Sequence, residues 1–154
     1  MVYKKFSRSL YEENDEIAKK VACEYLLSTN TFRLITDIKS QKEQFKLYDF
    51  EILYIKENKI VRVEAERKMV WGKRGMWQGY RTIDVPYRKK DSISDIFIMV
   101  NKHLDTIAIA DMKKVLSSPI TCKNTIHTQN EEFFNCPLNI FQFRFFNNNK
   151  WNII

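Results

Sequence analysis

The residues of this chain best placed by type and spacing to do chemistry are Asp49, Glu51, Glu64, Glu66 and Lys68. They sit in two short segments, Tyr48-Asp49-Phe50-Glu51-Ile52 and Val63-Glu64-Ala65-Glu66-Arg67-Lys68, whose other residues read as β-strand. Acids are depleted from strands, so two such segments close together ask for an explanation. Two carboxylates converging on a bond-breaking centre would hold Mg²⁺ or Mn²⁺, which polarises a phosphate oxygen and helps to generate hydroxide from water. A lysine beside them would stabilise the developing charge or position the nucleophile.

The elements that must position these groups are two strands and a turn. Lys56-Glu57-Asn58-Lys59 is a polar break between the apolar runs 50–55 and 60–63, and a break this short predicts an antiparallel hairpin. A turn centred on Glu57-Asn58 pairs Asp49 with Glu66 and Glu51 with Glu64. Side chains alternate with period two, so this register gathers Asp49, Glu51, Glu64, Glu66 and Lys68 on one face. Facing Cβ atoms would lie about 5 Å apart, a spacing that suits one shared cation. The plainer alternative is a solvated strand face carrying weak cross-strand pairs.

Asp49 followed by Glu66-x-Lys68 resembles the PD-(D/E)XK nuclease superfamily, the restriction endonuclease-like fold. The proline that often precedes the aspartate is absent, Leu47-Tyr48 standing there instead. The resemblance spans roughly residues 10–116 by pattern, with an apolar strand at Ser94–Val100 and another at Thr106–Ala110 after the motif. It implies a DNA-cleaving, metal-dependent hydrolase with Asp49, Glu66 and Lys68 as catalytic residues. It also implies that Asp49, Glu66 and the backbone carbonyl of Arg67 hold the metal. An acid of the first helix often completes such a site, and Glu16 is the preferred one among Glu12, Glu13, Glu16 and Glu24.

The chain of 154 residues is 44% hydrophobic, enough for one domain with a real core, expected over 1–154. Lys and Arg number 26 against 19 acids, for a net charge of +7. That balance favours a polyanion, and DNA is the expected partner. The basic residues Arg74, Arg81, Arg88 and Lys89 are interleaved with Trp71, Trp77, Tyr80 and Tyr87, an arrangement that could follow phosphates while stacking on unpaired bases. Of these, Arg74, Trp77, Arg81, Arg88 and Lys89 are the candidate nucleic-acid contacts, and Lys89 or Gln78 could also reach the metal site. The three cysteines have no C-x-x-C spacing, and no apolar stretch approaches the roughly 20 residues of a membrane span. A cytoplasmic protein without a membrane partner is expected, and a homodimer is left open.

The remaining elements are a helix from Tyr11 to Ser28 capped at Asn14 or Asp15, a strand at Phe32–Ile35, and a glycine-bearing mobile loop from Trp71 to Tyr80. A short helix at Ala110–Leu116 and a strand at Ile140–Phe146 follow. This order predicts an α/β fold, a mixed central sheet with flanking helices and a restriction endonuclease-like core. His103 and His127 lack zinc-ligand spacing, and no P-loop, dinucleotide loop or Ser-His-Asp arrangement is legible. Two other functions are compatible with the sequence: a nucleic-acid-binding module without hydrolysis, and a small protein that modulates a partner enzyme.

Overall fold

The computed structural model describes residues 8–35, 48–125 and 129–154, with side chains in the first helix from Asn14 onward. His127 and the Leu47 that precedes the hairpin lie outside these residues, as do the side chains of Glu12 and Glu13. The described elements run α1 (Arg8–Ser28), β1 (Phe32–Leu34), β2 (Phe50–Tyr54), β3 (Lys59–Lys68), β4 (Thr82–Pro86), β5 (Ile96–Asn101) and β6 (Thr106–Asp111). They continue with α2 (Met112–Leu116), β7 (Ile120–Lys123), β8 (Glu131–Pro137), β9 (Phe141–Asn147) and β10 (Lys150–Ile153).

The α/β expectation, with flanking helices around a restriction endonuclease-like core, is overturned. Strands make up 45% of the structure and helices 22%, with two α-helices among the described residues. A curled seven-stranded sheet runs in the order β1-β2-β3-β5-β6-β9-β10, and a second sheet of three strands runs β4-β8-β7. The physical reason lies in the C-terminal third. Glu131–Pro137 alternates exposed and buried positions and forms a strand that pairs with β4, and Asn147–Asn149 makes a turn that returns Lys150–Ile153 along β9. Asn148 and Asn149 both take positive φ in that turn, at 54° and 61°, a conformation Asn tolerates better than most residues.

The large sheet is covered on both faces. On one face α1 lays Ala18, Ala22, Cys23, Tyr25 and Leu26 against Phe50, Ile52, Val63, Ala65, Ile98 and Val100. On the other, Ile83, Val85, Phe134 and Cys136 of the small sheet and Met112 and Val115 of α2 pack on Phe97, Met99, Ala108 and Phe141, with Trp71 sealed among them. Period-two alternation explains the division, since Phe97 and Met99 point one way and Ile98 and Val100 the other. β3 and β5 run parallel, Val63 beside Ile96 and Lys68 beside Asn101, so the chain must cross over between them. That crossover carries the 71–80 segment, β4 and a short 3-10 helix at Tyr87–Asp91.

Candidate metal centre and nucleic-acid groove

The hairpin forms, in a different register. Residues Ile55–Asn58 make the turn, Asn58 at φ 51°, and Tyr54 pairs with Lys59. Because Ile55 belongs to the turn and not to the strand, the pairing moves by two residues: Glu51 faces Arg62, and Phe50 faces Val63. The expected Asp49–Glu66 and Glu51–Glu64 pairs are therefore replaced. Glu51 instead accepts the Tyr48 hydroxyl at 2.6 Å, and the Arg62 guanidinium lies over the Tyr48 ring.

Asp49 marks the place where β2 leaves β3. Its amide donates to the Val63 carbonyl at 2.9 Å, although Val63 is already the partner of Phe50, so two residues of one strand meet one of the other, as in a β-bulge. The bulge re-aims the Asp49 side chain, whose Oδ2 accepts the Ala65 amide at 2.7 Å and takes the place of the missing β2 backbone. Backbone groups of alternate residues point to the same edge of a strand. Val63 and Ala65 point to the β2 edge, so the Arg67 carbonyl points there too, along the stretch that β2 no longer covers.

Glu64, Glu66 and Lys68 leave the opposite face of β3. Lys89, from the 3-10 helix, reaches down between the two acids, 2.6 Å from Glu64 and 3.5 Å from Glu66. Ser92 donates to the second oxygen of Glu64 at 2.7 Å. On the other side, Lys19 of α1 lies 3.1 Å from Asp15 and 3.7 Å from Asp49. The two lysines and four acids form one electrostatic knot. Burial raises the Asp49 carboxyl to about 7, and the charges of Asp15 and Glu64 push the same way, against the Ala65 hydrogen bond and Lys19. Burial alone would depress Lys89, yet Glu66 and Glu64 together, with Asp49 behind them, hold its ammonium above the ordinary value. Lys19 is also raised, Asp49 and Asp15 outweighing its desolvation.

Asp49 is bonded to the Ala65 amide and paired with Lys19, while Glu66 shares the Lys89 ammonium with Glu64, and no described contact joins the Asp49 and Glu66 carboxylates. Glu66 Oε2 is buried and accepts no hydrogen bond, its charge offset by the Lys89 ammonium at 3.5 Å. Among the described residues no three acidic, histidine or cysteine side chains converge as metal ligands. Mg²⁺ does not require three, since it keeps several waters and is commonly held by one or two carboxylates plus substrate phosphate. The all-oxygen donor set and the orphaned Glu66 oxygen fit such an ion.

Lys68 turns away from the acids. Its ammonium lies 3.4 Å from the Asp84 carbonyl, in the wall of a groove between the 71–80 segment and the small sheet. The Arg67 side chain faces α1, where Asn14 and the Lys102 carbonyl accept its hydrogen bonds. Arg74 is exposed, meeting Asp105 at 3.6 Å and the His103 ring at 3.2 Å, and Arg81 and Arg88 are also at the surface. Trp77 packs edge-on against Trp71 with centroids 5.0 Å apart. Lys89 points inward, so the candidate basic series is divided between the surface and the knot of acids.

Lys19, Asp15 and Ser92 were not legible as site residues. A signal existed: Asp15 and Lys19 are one helical turn apart, and Lys19 lies next to Ala18 and near Ala22 on the stripe that α1 buries. Glu16, the helix acid preferred from the sequence, acts on Lys19 but is not among the groups that act most strongly on Asp49. No described helix is long and apolar enough to cross a membrane. No protein-family model, curated protein or solved structure matches the chain.

Proposed function

We propose that this protein is a metal-dependent nuclease that hydrolyses phosphodiester bonds in DNA. The observation that supports this reading is the stretch of β3 beyond the bulge at Asp49, where a buried carboxylate with a raised pKa accepts the Ala65 amide and Glu66, the next residue, keeps a buried oxygen without a hydrogen bond. Asp49, Glu66 and the Arg67 carbonyl would hold Mg²⁺ or Mn²⁺. Such an ion supplies Lewis acidity to a phosphate oxygen and lowers the pKa of bound water. The resemblance of Asp49 and Glu66-x-Lys68 to the PD-(D/E)XK motif supports the same chemistry, although the fold around them differs from the one that motif implies.

The chain's own groups have separable tasks. Lys89 and Ser92 hold Glu64 in place, and Lys89 keeps negative charge on Glu64 and Glu66 tolerable at close range. Lys19 does the same for Asp49 from the helix side. Lys68, one repeat beyond Glu66 on the same face of β3, would neutralise a phosphate oxygen as charge builds on it. A net charge of +7 draws the polyanionic substrate in, with Arg74, Arg81 and Arg88 at the surface.

Hydrolysis of labelled DNA with Mn²⁺ tests this. Wild-type protein should cleave, while Asp49→Asn and Glu66→Gln should lose at least about 100-fold in rate and Lys68→Ala about 10–100-fold. Equal cleavage by wild type and variants would remove the assigned site. A second function, DNA binding without hydrolysis, draws on the fact that Lys19 and Lys89 already compensate the acids. Salt-dependent binding with no metal-dependent cleavage would favour it.

A further inference from the structure

We propose that the groove beside Lys68 receives an unpaired base of the DNA strand, so that the protein acts on single-stranded or locally opened DNA. This rests on the nuclease assignment above and adds the form of its substrate. The groove holds about 260 Å³ and is lined by Lys68, Trp77, Gln78, Tyr80, Thr82 and Lys123, among others. That is at or below the small end of ligand pockets, a scale that suits one planar ring system and excludes a duplex.

Its walls have the chemistry of a base site. Tyr80 is 66% exposed and stacks on no other ring among the described contacts. Its exposed ring lies in the groove wall, open to a stacking partner. Trp77, its neighbour in the wall, is held rigidly, its ring edge-on to buried Trp71 and its indole N–H donated to the Tyr80 carbonyl at 3.0 Å. A ring fixed in this way loses little freedom when a base stacks on it. Gln78 uses its oxygen to accept the Gly72 amide at 3.1 Å, and no described hydrogen bond uses its NH₂ group. That NH₂ can donate to the carbonyl or ring-nitrogen acceptors that every base carries on its edge.

The groove is also tied to the candidate metal centre. Lys68 forms part of its wall, and Glu66 lies on the same face of β3 about 6.6 Å away along the strand. A phosphate lying between Glu66 and Lys68 therefore carries its adjoining base to the groove mouth. Lys123 also lines the groove, paired with the wall residue Asp84 at 2.6 Å. Stacking rings between cations is the usual construction of a site for single strands.

The test is metal-free binding of a short oligothymidylate, an abasic strand of the same length and a duplex, followed by fluorescence anisotropy in EDTA. Wild type should bind the base-bearing strand about 10-fold more tightly than the abasic strand or the duplex. Tyr80→Ala should lose about 10-fold for the base-bearing strand and nothing for the abasic one, while Tyr80→Phe, which keeps the ring, should match wild type. Because Tyr80 is exposed, the fold should tolerate both changes. Equal affinity for base-bearing and abasic strands, tighter binding of duplex, or an unchanged Tyr80→Ala variant would overturn the proposal. Equal cleavage of DNA by wild type and Asp49→Asn, with base-dependent binding intact, would instead remove the nuclease and leave the groove.

Discussion

At the scale of single residues, Asp49 is the group on which the site turns. Its carboxyl is raised from an ordinary 3.8 to about 7, chiefly by burial and then by Asp15. Between those values the folded protein keeps a proton that the unfolded chain has already released. The folded state then binds more protons than the unfolded one, so stability falls as pH rises from about 4 through about 7 and levels off above. Asp49→Asn removes this dependence while keeping an oxygen for the Ala65 amide. The variant should be more stable than wild type at about pH 8 by about 2 kcal/mol and no more stable at about pH 4, as read from urea unfolding at each pH. A variant that is less stable at the higher pH would mean that Lys19 gains more from Asp49 than burial costs. Adding Mn²⁺ at the higher pH should raise the wild-type midpoint and leave that of Asp49→Asn unmoved, since only wild type has a carboxylate there for the ion to relieve.

At the scale of elements, the decisive features are the β2–β3 hairpin and the segment from Trp71 to Tyr80. The hairpin was legible from its apolar runs and polar break. Its register was not, because whether Ile55 extends the strand or enters the turn depends on which strand lies beyond β2, and β1 takes the Ile55 amide through Thr31. Shifting by two residues kept Glu64, Glu66 and Lys68 on one face of β3 while each cross-strand pair changed, but the bulge re-aimed Asp49 and Lys68 turned from the acids toward Asp84. The three glycines of 71–80 suggested a mobile loop, yet the segment is tied down. Asn101, fully buried, donates to the Lys73 carbonyl and to Asp105, and its oxygen accepts the amides of Asp105 and Thr106. Thr106 in turn accepts the Gly75 amide at 2.7 Å. Gly75 has φ 70°, where any side chain is strained, and a Cβ there would meet the Phe145 ring at 3.3 Å, so that ring would have to give by a few tenths of an ångström. Asn101→Ala would strand these backbone groups and should cost about 2–3 kcal/mol, with faster amide hydrogen exchange concentrated in 72–76. Exchange unchanged in that segment would show that Trp71 alone holds the loop.

At the scale of the whole molecule, the large sheet is closed off by α1 on one face and by the small sheet and α2 on the other. Phe97 and Ile98 are consecutive, fully buried and on opposite faces. In a sheet with one wet face, one of the two would tolerate truncation. Here Ile98→Ala should cost about 2–5 kcal/mol and Phe97→Ala about 3–5 kcal/mol in denaturant unfolding. A cost below about 1 kcal/mol for either would mean that its covering layer is absent in solution.

What the sequence determined by itself was local: α1 from its apolar stripe, the strands β1, β2, β3, β5, β6 and β9 from their apolar runs and alternation, the break between β2 and β3, and the acidic and basic composition of β3. Each depends on neighbours within a few positions, and period two or 3.6 reads them directly. Only tertiary structure decided that Lys89 and Lys19 would come down on the acids from two sides, that Lys68 would leave them for a groove, and that Glu131–Pro137 would build a second sheet on β4. Those outcomes depend on contacts between residues far apart in the chain, such as Lys89 with Glu64 and Asn135 with Thr82. Burial and charge compensation select such contacts only after the layers have met, and no spacing in the sequence encodes them.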